Sequence, residues 1–243
     1  MKNILLLMMG GSGTRLGADI PKQYLDVGGH PIFYYIVKKY AQMEDIHRIC
    51  IVSHSDWIDF VQKAISDIPF CCPVQVAMGG DTRSASVRNG LLAVQHEAAP
   101  DDIVLIHDAT HPYVDTDGVR EIVAAVAETG GATLGACQYD TCYQMNENNM
   151  LQQVIPRQEL VSGASPEAFR FGDISRIYFD SSPEELAAMT SAGAIALAHH
   201  IPMKVIPARC LNLKITYPED LSLFKILIHS YFFIKDEERR ATK

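Results

Sequence analysis

The stretch NILLLMM–GGSGTRLG, Asn3 to Met9 followed by Gly10 to Gly17, decides how the rest of the chain is read. An unbroken apolar run of this length predicts a strand buried on both faces, the kind found in parallel sheets covered by helices. Glycines directly after such a strand let backbone amides surround phosphate oxygens with no side chain in the way. Two familiar motifs fail on spacing. Gly11, Gly13 and Gly17 give G-x-G-x-x-x-G rather than the dinucleotide fingerprint, and the lysine of a P-loop is absent. The loop instead carries Arg15, with Lys22 following in IPKQY, and both cations can reach one triphosphate.

Outward from that loop, apolar segments alternate with helix-period segments, which predicts an α/β fold with a parallel sheet. Strands are expected at His47 to Ser53, Val74 to Met78, Ile103 to His107, Ala132 to Gln138 and Met203 to Ile206. Helices are expected at Pro31 to Gln42, Asp56 to Ile68, Ser84 to Glu97, Thr116 to Thr129, Asp173 to Asp180, Pro183 to Ala192 and after Pro218. Gly130 and Gly131 should stop the fourth of these. Residues 1–230 read as one domain and 231–243 as a charged tail.

Tyr139 to Arg157 breaks the alternation. Two short extended pieces flank Asn146-Glu147-Asn148-Asn149, which predicts a β-hairpin arm over about 139–157. Two strands alone are marginal in water, so a partner subunit is expected to cover the arm.

The chain has 243 residues and a net charge of −8, which excludes a generic surface for nucleic acid or anionic membranes. Phosphates must then be met by a few focused cations. The longest apolar run near the start is far shorter than a membrane span and lacks a signal-peptide cleavage pattern, so a cytoplasmic location is expected. The six cysteines show no CxxC spacing and read as reduced thiols.

Seven ordered motifs carry a family resemblance: GGSGTRLG, PKQY, GGDTRSASVRNG (Gly79 to Gly90), HDATHP (His107 to Pro112), Asp140-Thr141, Arg157 with SPEAF, and NLKITYPEDL (Asn212 to Leu221). Together they resemble the cytidylyltransferases that make CDP-activated polyols. One branch acts on 2-C-methyl-D-erythritol 4-phosphate in isoprenoid synthesis, the other on ribitol 5-phosphate for wall or capsule polymers. The resemblance implies a Rossmann-like, GT-A-like α/β/α sandwich of the nucleotide-diphospho-sugar transferase type, dimerising through its projecting arm. It also implies Mg²⁺-dependent attack of a polyol phosphate on the α-phosphorus of CTP.

Position by position, the resemblance makes Arg15, Lys22 and Lys214 the catalytic cations. Met8, Met9, Gly10, Gly11, Gly13, Gly80, Asp81, Arg83, Ser86 and Asp108 become nucleotide contacts, with Asp108 also holding the metal. Thr141, Arg157, His111 and Lys214 become substrate contacts, Arg157 from the neighbouring subunit. The chain departs from the family where the acceptor should bind. His111 replaces an arginine, Tyr143 a lysine, Ala164-Ser165-Pro166-Glu167 the Q-T-P-Q element, and Thr190-Ser191-Ala192 the T-D-E element. His107 and His111 lack a third ligand, which excludes zinc. Trp57 in HSDWI and the run RQELVSGASPEAF lean towards the ribitol branch. The alternatives are methylerythritol phosphate as acceptor, a sugar-phosphate nucleotidyltransferase, or a CTP-binding regulator that no longer reacts.

Overall fold

Strand β1 (Asn3–Met9) is buried from end to end and serves two cores at once. Leu5, Leu7 and Met9 point into one, Ile4, Leu6 and Met8 into the other. That is the period-2 geometry of a strand with apolar residues on both faces. The computed structural model describes residues 1–10, 20–188 and 191–228.

After β1 come a two-residue ribbon, β2 (Asp26–Val27) with β3 (His30–Pro31), and helix α1 (Ile32–Ala41). Then follow β4 (Arg48–Ser53), α2 (Ile58–Ala64), β5 (Val74–Met78), α3 (Arg83–Val94), β6 (Ile103–Asp108), α4 (Thr116–Thr129) and β7 (Gly131–Cys137). The arm is β8 (Cys142–Met145) and β9 (Leu151–Ile155). The chain closes with β10 (Val161–Arg170), α5 (Phe171–Asp180), α6 (Pro183–Ala188), α7 (Ala192–Ala198), β11 (Met203–Pro207) and α8 (Pro218–Ile228).

The main sheet has seven strands in the order β11-β7-β10-β6-β1-β4-β5. Residues of α1, α2, α4 and α8 fill the core on one face, and those of α3, α5, α6 and α7 fill the other. The result is an α/β/α sandwich. From β1 the chain proceeds outward through β4 and β5, then returns to place β6 on the opposite side of β1. The strand order therefore reverses between β1 and β6, and the carboxyl side of such a reversal is where open α/β sheets bind ligands.

Several expectations need correction. The sheet is not wholly parallel: β10 runs antiparallel to both β6 and β7. Its sequence, VSGASPEAFR, carries Ser-Gly and Ser-Pro pairs that read as loop, and two flanking strands override that preference. The helix expected over Asp56 to Ile68 is shorter, because Ser55–Trp57 is a 3₁₀ turn and Ile65 ends α2. The single helix expected from Pro183 to Ala192 is two, with Ser191 capping the second through its hydroxyl to the Ala194 N–H. Gly130 ends α4 at φ 92°, a left-handed conformation that favours glycine, but Gly131 already belongs to β7.

The arm falls where the sequence places it, with Cys142 paired to Ile155 and Tyr143 to Val154. It springs from the sheet between Cys137 and Val161, which face each other across β7 and β10. Tyr143, Met145, Met150, Leu151 and Val154 are exposed on it. All six cysteines are free thiols.

Candidate active site

Strand β1 ends at Met9, and the PKQY segment folds back onto that end. Gln23 donates its side-chain amide to the Met9 carbonyl at 2.7 Å, and the Tyr24 hydroxyl lies 3.3 Å from the same oxygen. Tyr24 stacks on Trp57 with ring centroids 4.4 Å apart. These contacts fix the short 3₁₀ turn Lys22–Tyr24, so Lys22 is buried rather than a solvated loop charge. Its ammonium donates to the Ile215 carbonyl at 2.6 Å. Ile215 in turn donates its N–H to Thr110 at 2.8 Å, which brings NLKITY against HDATHP.

Close backbone packing shapes the neighbouring wall. A Cβ on Gly10 would lie 2.4 Å from the Ser86 hydroxyl oxygen, and that hydroxyl also bridges the N–H and carbonyl of Gly80 at 3.1 Å each. Glycine at 10 thus lets the end of β1 approach the start of α3. The Met8 carbonyl accepts from the Ala109 N–H at 3.0 Å and the Met9 carbonyl from Gln23, which fixes the backbone at the end of β1.

The charged centre lies at the end of β6. Asp108 Oδ1 accepts from Arg83 Nε at 3.0 Å and forms an ion pair with Nη2 at 2.9 Å, and Oδ2 lies 3.6 Å from Lys214 Nζ. The burial of Asp108 opposes its charge, but Arg83 and Lys214 outweigh that and hold its carboxyl below the usual range. Arg83 Nη2 also sits 3.7 Å from Glu167 Oε2. Burial raises the Glu167 carboxyl, against the pull of Arg83 and two backbone N–H groups.

Beneath this centre lies a buried polar chain. His107 is fully buried; its Nε2 contacts the His111 carbonyl at 2.8 Å, so Nε2 carries the proton and Nδ1 accepts from Tyr40 at 2.9 Å. His111 Nδ1 meets the Ser165 hydroxyl at 2.9 Å, and Ser165 Oγ accepts from the Asp108 N–H at 3.2 Å. Burial pushes His107 down to about 4 and His111 down to about 3, so both are neutral near pH 7.

Both imidazoles are depressed below the ~6.5 of an unfolded chain, so the unfolded state binds their protons more strongly. Their contribution is complete above that value and is lost as pH falls towards 4. We expect unfolding free energy to drop between pH 6.5 and 5 with a slope approaching ~1.4 kcal/mol per pH unit for each imidazole. Urea denaturation of the protein and of His111→Asn will isolate one share. A wild-type slope no steeper than the variant's would refute the assignment.

The structure thus places Met8, Met9, Gly10, Lys22, Gly80, Arg83, Ser86, Asp108, His111 and Lys214 about the carboxyl ends of β1 and β6. Gly11, Gly13 and Arg15 lie outside the described residues. Asp81 is exposed, beside the start of α3. Thr141 and Arg157 are exposed at the base of the arm, where Arg157 donates to the Tyr139 carbonyl, and neither bonds to the Asp108 cluster among the described residues. Lys214, about half exposed, lies in an irregular segment rather than a strand. Sequence reasoning assigned no role to Gln23, Ser165 or Glu167. The nearest hint was the departure at Ala164-Ser165-Pro166-Glu167.

Known proteins fit this arrangement. The sequence model of the 2-C-methyl-D-erythritol 4-phosphate cytidylyltransferase (IspD) family matches residues 4–230. A ribitol-5-phosphate cytidylyltransferase of Streptococcus agalactiae serotype V is 27% identical over 228 residues, covering 93% of this chain and 95% of its own. A 2-C-methyl-D-erythritol 4-phosphate cytidylyltransferase of Clostridium botulinum is 31% identical over 224 residues, covering 92% and 98%. The 4-diphosphocytidyl-2C-methyl-D-erythritol synthase of Anaerococcus prevotii shares the fold, with a TM-score of 0.76 at 19% identity over 94% of this chain and 98% of that one. With Arg83 and Lys214 meeting Asp108 at the end of β6 and a family match over nearly the whole length, the chain belongs to the 2-C-methyl-D-erythritol 4-phosphate cytidylyltransferase family and is a cytidylyltransferase.

Proposed function

We propose that the protein transfers CMP from CTP to a polyol phosphate, with ribitol 5-phosphate as the preferred acceptor. The observation that carries this reading is that Arg83 and Lys214 meet Asp108 at the strand-order reversal, while Lys22 is tethered to Ile215, the residue next to Lys214. A phosphate oxygen of the acceptor forms a bond to the α-phosphorus of CTP, the bond from that phosphorus to the β-phosphate oxygen breaks, and pyrophosphate leaves. No covalent nucleophile is required. The protein's task is to hold two anions against their repulsion and to stabilise the charge that develops on the phosphoryl oxygens. Lys22 and Lys214 supply that charge from the PKQY turn and the segment before α8, and Arg15 from the glycine loop joins them.

The residues fit Mg²⁺. Asp108 offers a single carboxylate, whose Oδ2 lies 3.6 Å from Lys214 Nζ. Magnesium binds through one or two carboxylates together with phosphate oxygens and waters. Asp108 would hold it with the triphosphate. Bound there, the ion would offset charge on the departing pyrophosphate. Chelation with EDTA is expected to abolish CTP-dependent pyrophosphate release, with recovery on adding Mg²⁺; full activity in EDTA would rule the metal out.

Support for the ribitol branch comes from the ribitol-5-phosphate cytidylyltransferase relative, from Trp57 in HSDWI, and from the run RQELVSGASPEAF. The second reading, 2-C-methyl-D-erythritol 4-phosphate as acceptor, is favoured by the higher identity to the Clostridium botulinum enzyme. A coupled pyrophosphate assay with CTP, Mg²⁺ and each acceptor decides between them: a larger kcat/KM with methylerythritol phosphate would reverse the preference. The exposed apolar strip of the arm supports a homodimer, with Arg157 serving the partner's site. No helix among the described residues is long and apolar enough to cross a membrane, and we place the reaction in the cytoplasm.

A further inference from the structure

Glu167 on β10 is seated by the start of α7. Its Oε1 accepts from the Gly193 N–H at 2.9 Å and its Oε2 from the Ala192 N–H at 3.2 Å. A Cβ on Gly193 would lie 2.6 Å from Oε1, so the seat exists only with glycine there. From this position Oε2 faces Arg83 Nη2 at 3.7 Å. Arg83 therefore lies between two carboxylates, with both Nε and Nη2 directed at one oxygen of Asp108.

That geometry departs from what a guanidinium does with a lone carboxylate. The preferred pair is bidentate, with one N–H to each oxygen, and it would close Oδ2 of Asp108 as well as Oδ1. We propose that Glu167 is a positioning residue: it holds one edge of Arg83, keeps the guanidinium on Oδ1, and leaves Oδ2 of Asp108 open to the Lys214 and nucleotide side. The inference rests on the reading of Asp108 as the residue that holds Mg²⁺ with CTP.

The test is the CTP dissociation constant of the full chain, measured by calorimetry with and without Mg²⁺ and with no acceptor present. In Glu167→Gln, which keeps the shape and removes the charge, the gain in affinity from Mg²⁺ should shrink about tenfold, the scale of an outer partner of a metal ligand. Affinity for CTP alone should hold. Gly193→Ala, which displaces the carboxylate without altering it, should give the same loss. Lysine cannot form the bidentate pair, so in an Arg83→Lys background Glu167→Gln should add little further loss, a pattern that mere loosening of α7 would not produce.

Asp108→Asn separates the two layers. If it leaves the Mg²⁺ effect intact, the assignment of the metal to Asp108 fails. If it removes the effect while folded Glu167→Gln and Gly193→Ala both keep it, the positioning role of Glu167 is overturned.

Discussion

Lys22→Ala will lower kcat by about 10²–10³, the usual cost of one preorganised charge aimed at a developing oxyanion. Affinity for CTP should change far less. The split follows from where the ammonium sits. It is buried and tethered to the Ile215 carbonyl, so its position is set before substrate arrives, and no reorganisation is needed during reaction. Such a group acts on charge that grows in the transition state rather than on ground-state binding. The same tether offers a competing explanation, because its loss could shift Lys214 one residue away. Lys214→Ala and the double variant resolve this. Independent roles give losses that multiply; a double variant no worse than Lys22→Ala would mean that Lys22 acts by placing Lys214. Unchanged kcat in Lys22→Ala would remove it from the catalytic set. Arg15→Ala is expected to behave as Lys22→Ala does.

Arg157→Ala should nearly abolish turnover although, among the described residues, Arg157 makes no bond to the Asp108 cluster of its own chain. If the arm delivers Arg157 to the neighbouring site, an Arg157→Ala protomer paired with a Lys22→Ala protomer has one site carrying both defects and one carrying neither. Random pairing of equal amounts then restores roughly a quarter of wild-type activity from two nearly inactive proteins, the share set by two-fold symmetry. Co-expression with two affinity tags yields the mixed dimer directly. A purified mixed dimer as inactive as its parents would show that each chain completes its own site.

Much of this layout was legible in the sequence, for identifiable reasons. β1, β4 and β6 are apolar runs buried on both faces, and α4 is an amphipathic helix with Asp115 as its N-cap and Gly130 as its stop. The arm announced itself by its asparagine-rich turn. What escaped notice depends on contacts distant in sequence. β10 is a strand because β6 and β7 flank it, while its own residues favour a turn. Helix α7, only seven residues long and rich in alanine, is anchored at its start by Ser191 and by Glu167 from the neighbouring strand.

The site divides in the same way. Asp108 and Lys214 were readable from their motifs. The burial of Lys22 was not, because the carbonyl that receives its proton lies 193 residues away in sequence. Nor was the role of Gln23, whose side-chain amide donates to the Met9 carbonyl at the end of β1. His111 was readable as a replacement for the family's arginine; its burial beside Ser165, which keeps it neutral near pH 7, was not.

The arm leaves and re-enters the sheet at one paired rung, Cys137 opposite Val161. Lengthening, shortening or rewriting everything between those two residues leaves every other rung in register. The hairpin is thus a separable cassette, whose length and sequence can change without moving the strands that carry Asp108 and Glu167.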